Sequence, residues 1–189
     1  MDSWLRSTSF QKKDEYYTPR ILCEAIVPYI PKEFSTIWCP FDTENSEFVR
    51  TFMDNGYNVL FSHIWTGNDF FTYEPDEPYD CIISNPPFSK KLEVFERLYK
   101  LNKPFAMVCG LTILNYQEIG QFFLDKKLQL LIVDKKVSFD GHTASFNNSF
   151  FCTRLLPNDL MFHHLDNNNS GKNYVPSTMY SDRDTLLRI

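Results

Sequence analysis

Two consecutive prolines, Pro86 and Pro87, stand directly after the apolar run Tyr79-Asp80-Cys81-Ile82-Ile83-Ser84. Each proline ring fixes φ near −65°, and each proline pushes the residue before it, Asn85 or Pro86, into an extended conformation. A strand entering this point must end there, because neither proline carries an N–H to continue a ladder. The carbonyls of the turn therefore face whatever lies at the strand's C-terminal edge, which is where open α/β sheets bind ligands.

Such a turn suits one kind of chemistry. An exocyclic amino group on an aromatic base is a poor nucleophile because its lone pair is delocalised into the ring. The side-chain oxygen of Asn85 and the carbonyl of Pro86 supply two acceptors that, aimed at the two amino hydrogens, would draw the nitrogen towards a tetrahedral geometry. Pro87 would hold the turn, and Phe88 offers a ring on which a flipped base can stack. The plainer alternative is a proline-rich turn closing a buried strand, with Asn85 bonding its own backbone.

Ser84-Asn85-Pro86-Pro87-Phe88 resembles the catalytic motif of S-adenosylmethionine-dependent amino-group methyltransferases, chiefly adenine-specific DNA methyltransferases of the gamma motif order. The resemblance covers roughly residues 14–156. It implies a Rossmann-like class I methyltransferase fold: a three-layer αβα domain with a mostly parallel sheet and an antiparallel last strand. It also implies S-adenosylmethionine as cofactor and adenine in DNA as substrate; RNA adenine and a protein glutamine amide present the same problem to the same turn. Tyr17-Thr18-Pro19 is similar to the motif that contacts the methionine part of the cofactor, and Asp69-Phe70 to the pair that holds its adenine. In the first loop, Cys39-Pro40-Phe41-Asp42-Thr43-Glu44-Asn45, the chain keeps Pro40 but has Cys39 for the family's acid and Thr43 and Asn45 for its glycines. β-Branched Thr tolerates positive φ poorly, so the loop either takes another shape, with Asp42 or Glu44 as substitute polar contacts, or binds the cofactor weakly or not at all. At the end of the second strand Ser62 and His63 stand where the family carries a ribose-binding acid.

Hydrophobic patterning supports the α/β alternation. A helix over 21–27 is expected to carry Thr18 as its N-cap and Pro19 as its first residue, with Pro28 stopping or kinking it. Strands are expected at 35–40, 57–62, 105–110, 128–133 and 149–155, with helices at 46–55, 89–101 and 116–126. The segment 74–78 is a turn-rich link to a fourth strand that carries the catalytic turn. The strand at 149–155 is expected to be antiparallel at the sheet edge or hairpinned to its predecessor. His142 lies in the loop at 139–148, where a solvated loop histidine is the plainer reading and a residue lining the base pocket the alternative. The chain divides into an N-terminal arm at 1–13, a catalytic domain at 14–166 and a polar tail at 167–189.

The 189 residues suit one domain, and 43% hydrophobic with 16% aromatic residues gives a Phe- and Tyr-rich interior. A net charge of −5 argues against holding nucleic acid by bulk positive charge, although four Lys pairs exist, one of them Lys90-Lys91 just after the turn. Five widely spaced cysteines inside apolar runs read as reduced core residues, and no metal-ligand spacing is present. The apolar runs are too short for a membrane span and no secretion signal leads the chain, so a cytoplasmic protein is expected. The missing glycines, the missing ribose acid and the lack of a separate recognition domain motivate an alternative. In it the chain is a catalytically inactive methyltransferase-like protein, similar in its small form to phage-encoded proteins, that binds and inhibits or regulates a host protein.

Overall fold

The structure, a computed structural model, describes residues 18–137 and 147–166. The expected arm at 1–13, Tyr17, His142 and the tail at 167–189 lie outside these residues. In chain order the described elements are α1 (Arg20–Ile26), β1 (Thr36–Cys39), α2 (Glu47–Asp54), β2 (Asn58–Phe61), β3 (Cys81–Ser84), α3 (Lys91–Leu101), β4 (Phe105–Gly110), α4 (Gln117–Phe123), β5 (Gln129–Val133), β6 (Asn148–Thr153) and β7 (Leu160–His163), with short 3-10 turns between some of them.

Seven strands form one sheet in the order β2-β1-β3-β4-β6-β5-β7. β1, β2, β3 and β4 pair in parallel, whereas β6 runs antiparallel to both β4 and β5. Alternation along the strands splits the interior into two apolar layers. Ile37 and Cys39 of β1, Cys81 and Ile83 of β3, Ala106 and Val108 of β4, and Phe150 and Cys152 of β6 join Leu22 and Ile26 of α1 and Phe48 and Phe52 of α2. The opposite face carries Trp38, Ile82, Phe105, Met107, Cys109 and Phe151, covered by Val94, Phe95 and Leu98 of α3 and Ile119 of α4. This is a Rossmann-like, three-layer αβα fold with a mostly parallel sheet.

Three details differ from the sequence expectations. Pro19 is the N-cap of α1, not its first helical residue, and no side chain caps it. Its ψ of 145° is extended, so the helix begins one residue later, with the Pro19 carbonyl accepting from the N–H groups of Leu22 and Cys23. The strand leading to the catalytic turn is the third in the chain. Among the described residues the link between β2 and β3 forms a 3-10 turn at Ile64–Thr66 and an aromatic loop, not a strand. Finally, β6 pairs antiparallel with its predecessor β5, as expected, but it is neither an edge strand nor the last one: it lies between β4 and β5, and β7 follows and adds to β5 in parallel. The exposed Leu160 and Phe162 of β7 and its length of four residues gave little pattern to read. All five cysteines are buried free thiols.

Asp80 fastens the neighbouring strands β1 and β3 at their starts. Its Oδ2 accepts from the backbone N–H groups of Ser35 at 2.7 Å and Thr36 at 2.9 Å. Burial opposes its charge, but these bonds outweigh it and hold the carboxyl below its usual range. Asp80→Ala is therefore expected to destabilise the fold by about 1–3 kcal/mol, the range for losing hydrogen bonds to a charged group. Urea denaturation checks this; an unchanged midpoint would show that water replaces the carboxylate at no cost.

Candidate functional site

The sheet reverses its winding between β1 and β3. From β1 the chain moves outward to β2, then returns to β3 on the other side of β1. The crevice beyond the C-terminal ends of these two strands is the ligand position of an open α/β sheet. The first loop leaves β1 there, and Ser84-Asn85-Pro86-Pro87-Phe88 leaves β3 there.

One hydrogen bond joins the two. Ser84, fully buried as the last residue of β3, donates its hydroxyl to Oδ2 of Asp42 at 2.5 Å. Burial pushes the Asp42 carboxyl up to about 6, against the opposing hydrogen bonds from Ser84 and Ser46. The loop needs no glycine. Among the described residues only Asn102 and Arg154 are non-glycine residues with positive φ, so Thr43 and Asn45 avoid the strained region. The loop instead closes as a turn: Ser46 N–H donates to the Thr43 carbonyl at 3.0 Å, and Thr43 N–H donates to Ser46 Oγ at 2.9 Å.

Asn85 follows Ser84 with its Oδ1 shielded from solvent, Pro86 is buried, and Pro87 and Phe88 are half-buried. The turn runs into a 3-10 segment, Phe88–Lys90, and then α3. Lys91 Nζ lies 4.7 Å from the centroid of the Phe88 ring, and Lys90 Nζ lies 5.1 Å from that of Phe71.

The remaining sequence-selected residues occupy varied positions. Pro40 ends β1, and Thr18 is buried just before α1. Asp69 Oδ1 accepts from Phe71 N–H at 3.0 Å, and the Asp69 carbonyl accepts from Thr72 and Tyr73 N–H, forming a tight turn. Phe70 is 2% exposed, packed against Trp38 at 5.6 Å and Phe41 at 4.8 Å between ring centroids. Ser62 is buried; its Oγ accepts from the Trp38 indole N–H at 3.0 Å. His63 caps the 3-10 turn at Ile64–Thr66, Nδ1 accepting from Trp65 N–H, and burial holds its imidazole below the usual range.

Two further groups stand at this edge, Lys91 of the pair after the turn and Ser149, of which only Ser149 went unmarked in the sequence. Lys91 reaches close enough to the end of β4 that its charge offsets part of the upward push of burial on the Cys109 thiol. Opposite Cys109 on β6 stands Ser149, whose buried hydroxyl meets no hydrogen-bond partner among the described residues. The signal available was a polar pair, Asn148-Ser149, opening an otherwise apolar strand.

S-adenosylmethionine, implied by the motif resemblance, fits this donor set. The Asp42 carboxylate, which would repel the cofactor's own carboxylate from the loop, is turned inward onto Ser84 and Ser46. At Asp69 Oδ1 is committed to the turn, and Oδ2 takes no hydrogen bond among the described residues.

The pH dependence of stability follows from Asp42. With a native value of about 6 against an ordinary 3.8, the folded state holds this proton more tightly than the unfolded chain. Stability from this group is thus greatest at or below the ordinary value and falls as pH rises through about 6, by about 3 kcal/mol in all. Asp42→Asn retains an acceptor for Ser84 and removes the ionisation. The stability difference between variant and wild type is expected to grow in the variant's favour across that window, measured by denaturation at each pH. Parallel curves would contradict it.

No protein-family model and no curated protein matches this chain. Among solved structures it is similar to the methyltransferase subunit of a type I restriction-modification system from Streptococcus thermophilus, with 12% identity and a TM-score of 0.47, over 79% of this chain and 47% of the other. The chain thus spans about half the length of that neighbour. It is also similar to a predicted O-methyltransferase from Agrobacterium tumefaciens, with 10% identity and a TM-score of 0.40, over 78% and 85% of the two chains.

Proposed function

We propose that this protein is an S-adenosylmethionine-dependent methyltransferase acting on the exocyclic amino group of adenine, in DNA. The observation that carries the reading is the placement of Asn85-Pro86-Pro87-Phe88 at the switch-point end of β3, tied through Ser84 to the loop that leaves β1. When bound, the cofactor supplies an electrophilic methyl group on a sulfonium. Thr18, Pro40 and Asp69 stand as its binding residues, with His63 at the ribose end, Tyr17 completing the methionine site and Phe70 backing the adenine from the core. Asp42 acts indirectly, by fixing Ser84 and hence the start of the turn.

The role of the chain in the reaction is electrostatic. Asn85 Oδ1 and the Pro86 carbonyl accept the two amino hydrogens and raise the basicity of the nitrogen, and they do so from a turn whose φ angles the prolines have already fixed. No reorganisation is needed when charge develops. Phe88 stacks on the base and Pro87 keeps its ring in place.

A second reading is favoured by a specific set of bonds. The N–H groups of Asp42, Thr43 and Ser46, the hydroxyl of Ser62 and Nδ1 of His63 all have partners within the protein. A scaffold that binds a host protein and no longer needs a cofactor would have this internally completed first loop. Its mark is a stable stoichiometric complex with a protein partner, unaffected by Asn85→Ala.

The transferase reading is tested with labelled S-adenosylmethionine and adenine-containing DNA, with RNA and a glutamine peptide as parallel acceptors. Asn85→Ala is expected to lower transfer to DNA by about 100-fold or more, the scale for removing one preorganised polar group. Its thermal unfolding should stay close to that of wild type. Undiminished transfer by the variant would sink the assignment.

A further inference from the structure

β7 closes one end of the sheet, and its far edge pairs with no strand among the described residues. Its ladder with β5 decides which backbone groups that edge presents. The carbonyls of Asp159 and His163 accept from the N–H groups of Leu130 at 2.7 Å and Asp134 at 3.0 Å. Successive residues of a strand turn their backbone groups to opposite sides. Asp159, Met161 and His163 therefore serve β5, while Leu160 and Phe162 turn both N–H and C=O to the open edge.

The side chains alternate as well, across the two faces of the sheet. Met161 packs against the apolar layer that includes α1 and α2, and His163 Nδ1 meets the Tyr29 hydroxyl at 3.1 Å. Leu160 and Phe162 lie on the other face, in register with the half-buried Leu130 and Ile132 of β5, and they are 54% and 69% exposed. This apolar row runs up to the open edge. Edge strands are commonly blunted by lysine or proline, and Leu160–His163 contains neither. β2, at the other end of the sheet, presents no such row, because its exposed Asn58 and Phe61 lie on opposite faces.

The edge of β7 is complementary to itself. When a second copy approaches antiparallel, about a two-fold axis between the two Met161 residues, Leu160 of each copy stands opposite Phe162 of the other. Both residues have outward backbone groups, so each such pair can exchange both of its N–H···O bonds. The faces match too: the row of Ile132 and Phe162 continues into Leu160 and Leu130 of the second copy. Asp159, the acid just before the strand, comes opposite His163, so unlike groups meet across the axis.

We propose that this edge is the interface of a homodimer in which the two β7 strands pair antiparallel and join the two sheets into one. The inference does not depend on the transferase reading, because β7 lies at the end of the sheet, away from the crevice between β1 and β3. The contact is short, so the association is weak, with a dissociation constant on the order of 10 μM.

The test is sedimentation equilibrium of the full-length protein under reducing conditions, from about 1 to about 300 μM, a range that brackets that affinity. Wild type should pass from monomer to dimer across it. Phe162→Lys removes the largest apolar group of the row and sets a charge at the edge, and it should weaken association by about 10-fold or more. Phe61→Lys, on β2, should associate as wild type does, and both variants should keep the wild-type melting temperature. Met161→Cys tests the register. The Cα atoms of a non-hydrogen-bonded antiparallel pair stand about 4.5 Å apart, within reach of a disulfide. The native cysteines are buried, so air oxidation should link two copies of this variant through the introduced thiols. Monomer throughout the series, or undiminished association of Phe162→Lys, would overturn the proposal. So would association of Met161→Cys without the disulfide, which would place the contact on another surface.

Discussion

The hydrogen bond from Ser84 to Asp42 is the constraint on which the geometry of the crevice depends. It joins the residue before the catalytic turn to the loop after β1, across the point where the sheet reverses its winding. Both partners are buried, so the bond is strong and costly to break: removing one side leaves a polar group stranded in an apolar interior. Ser46 completes the arrangement by donating to the same carboxylate while accepting the Thr43 N–H. A loop without glycines thereby acquires a defined shape through side-chain bonds, and the start of the proline turn is fixed from both sides.

Much of this was legible in the chain. The double proline after an apolar run located the end of β3, and the alternation of apolar residues located β1, β4 and β5 to within a residue or two. Those signals are local, as steric limits on φ and period-two burial are read from neighbours in sequence. What was not legible is tertiary. Phe70 matches a cofactor-packing position in sequence, yet its ring is sealed among Trp38, Phe41 and Phe71, a fact decided by chain segments far from it. Asp42 reads as a charge in the mouth of a loop, but it is turned inward by a serine 42 positions away. The strand β7, short and with exposed apolar residues, carries no alternating signal and exists because β5 offers it an edge.

The same bonds that shape the first loop sharpen the choice between a transferase and a scaffold. Backbone N–H groups near Asp42 are satisfied by Ser62 and Ser46, so the loop is stable without a cofactor. That leaves Asp69 Oδ2, Thr18 and the open side of the turn as the groups through which a cofactor would gain its affinity. Preorganisation of this kind lowers the ordering cost of binding but supplies fewer new hydrogen bonds. Retention of the whole turn, with its acceptors at the end of β3 and its Phe88 ring against Lys91, is what a scaffold has no use for.

The most direct test is titration calorimetry of the full-length protein with S-adenosylmethionine, with S-adenosylhomocysteine alongside. Binding in the micromolar range, about −8 kcal/mol, is expected. No heat of binding from either compound, in a sample shown by its melting transition to be folded, would contradict it. The crevice between β1 and β3 would then be a structural relic of a cofactor site, and the search would turn to a protein partner.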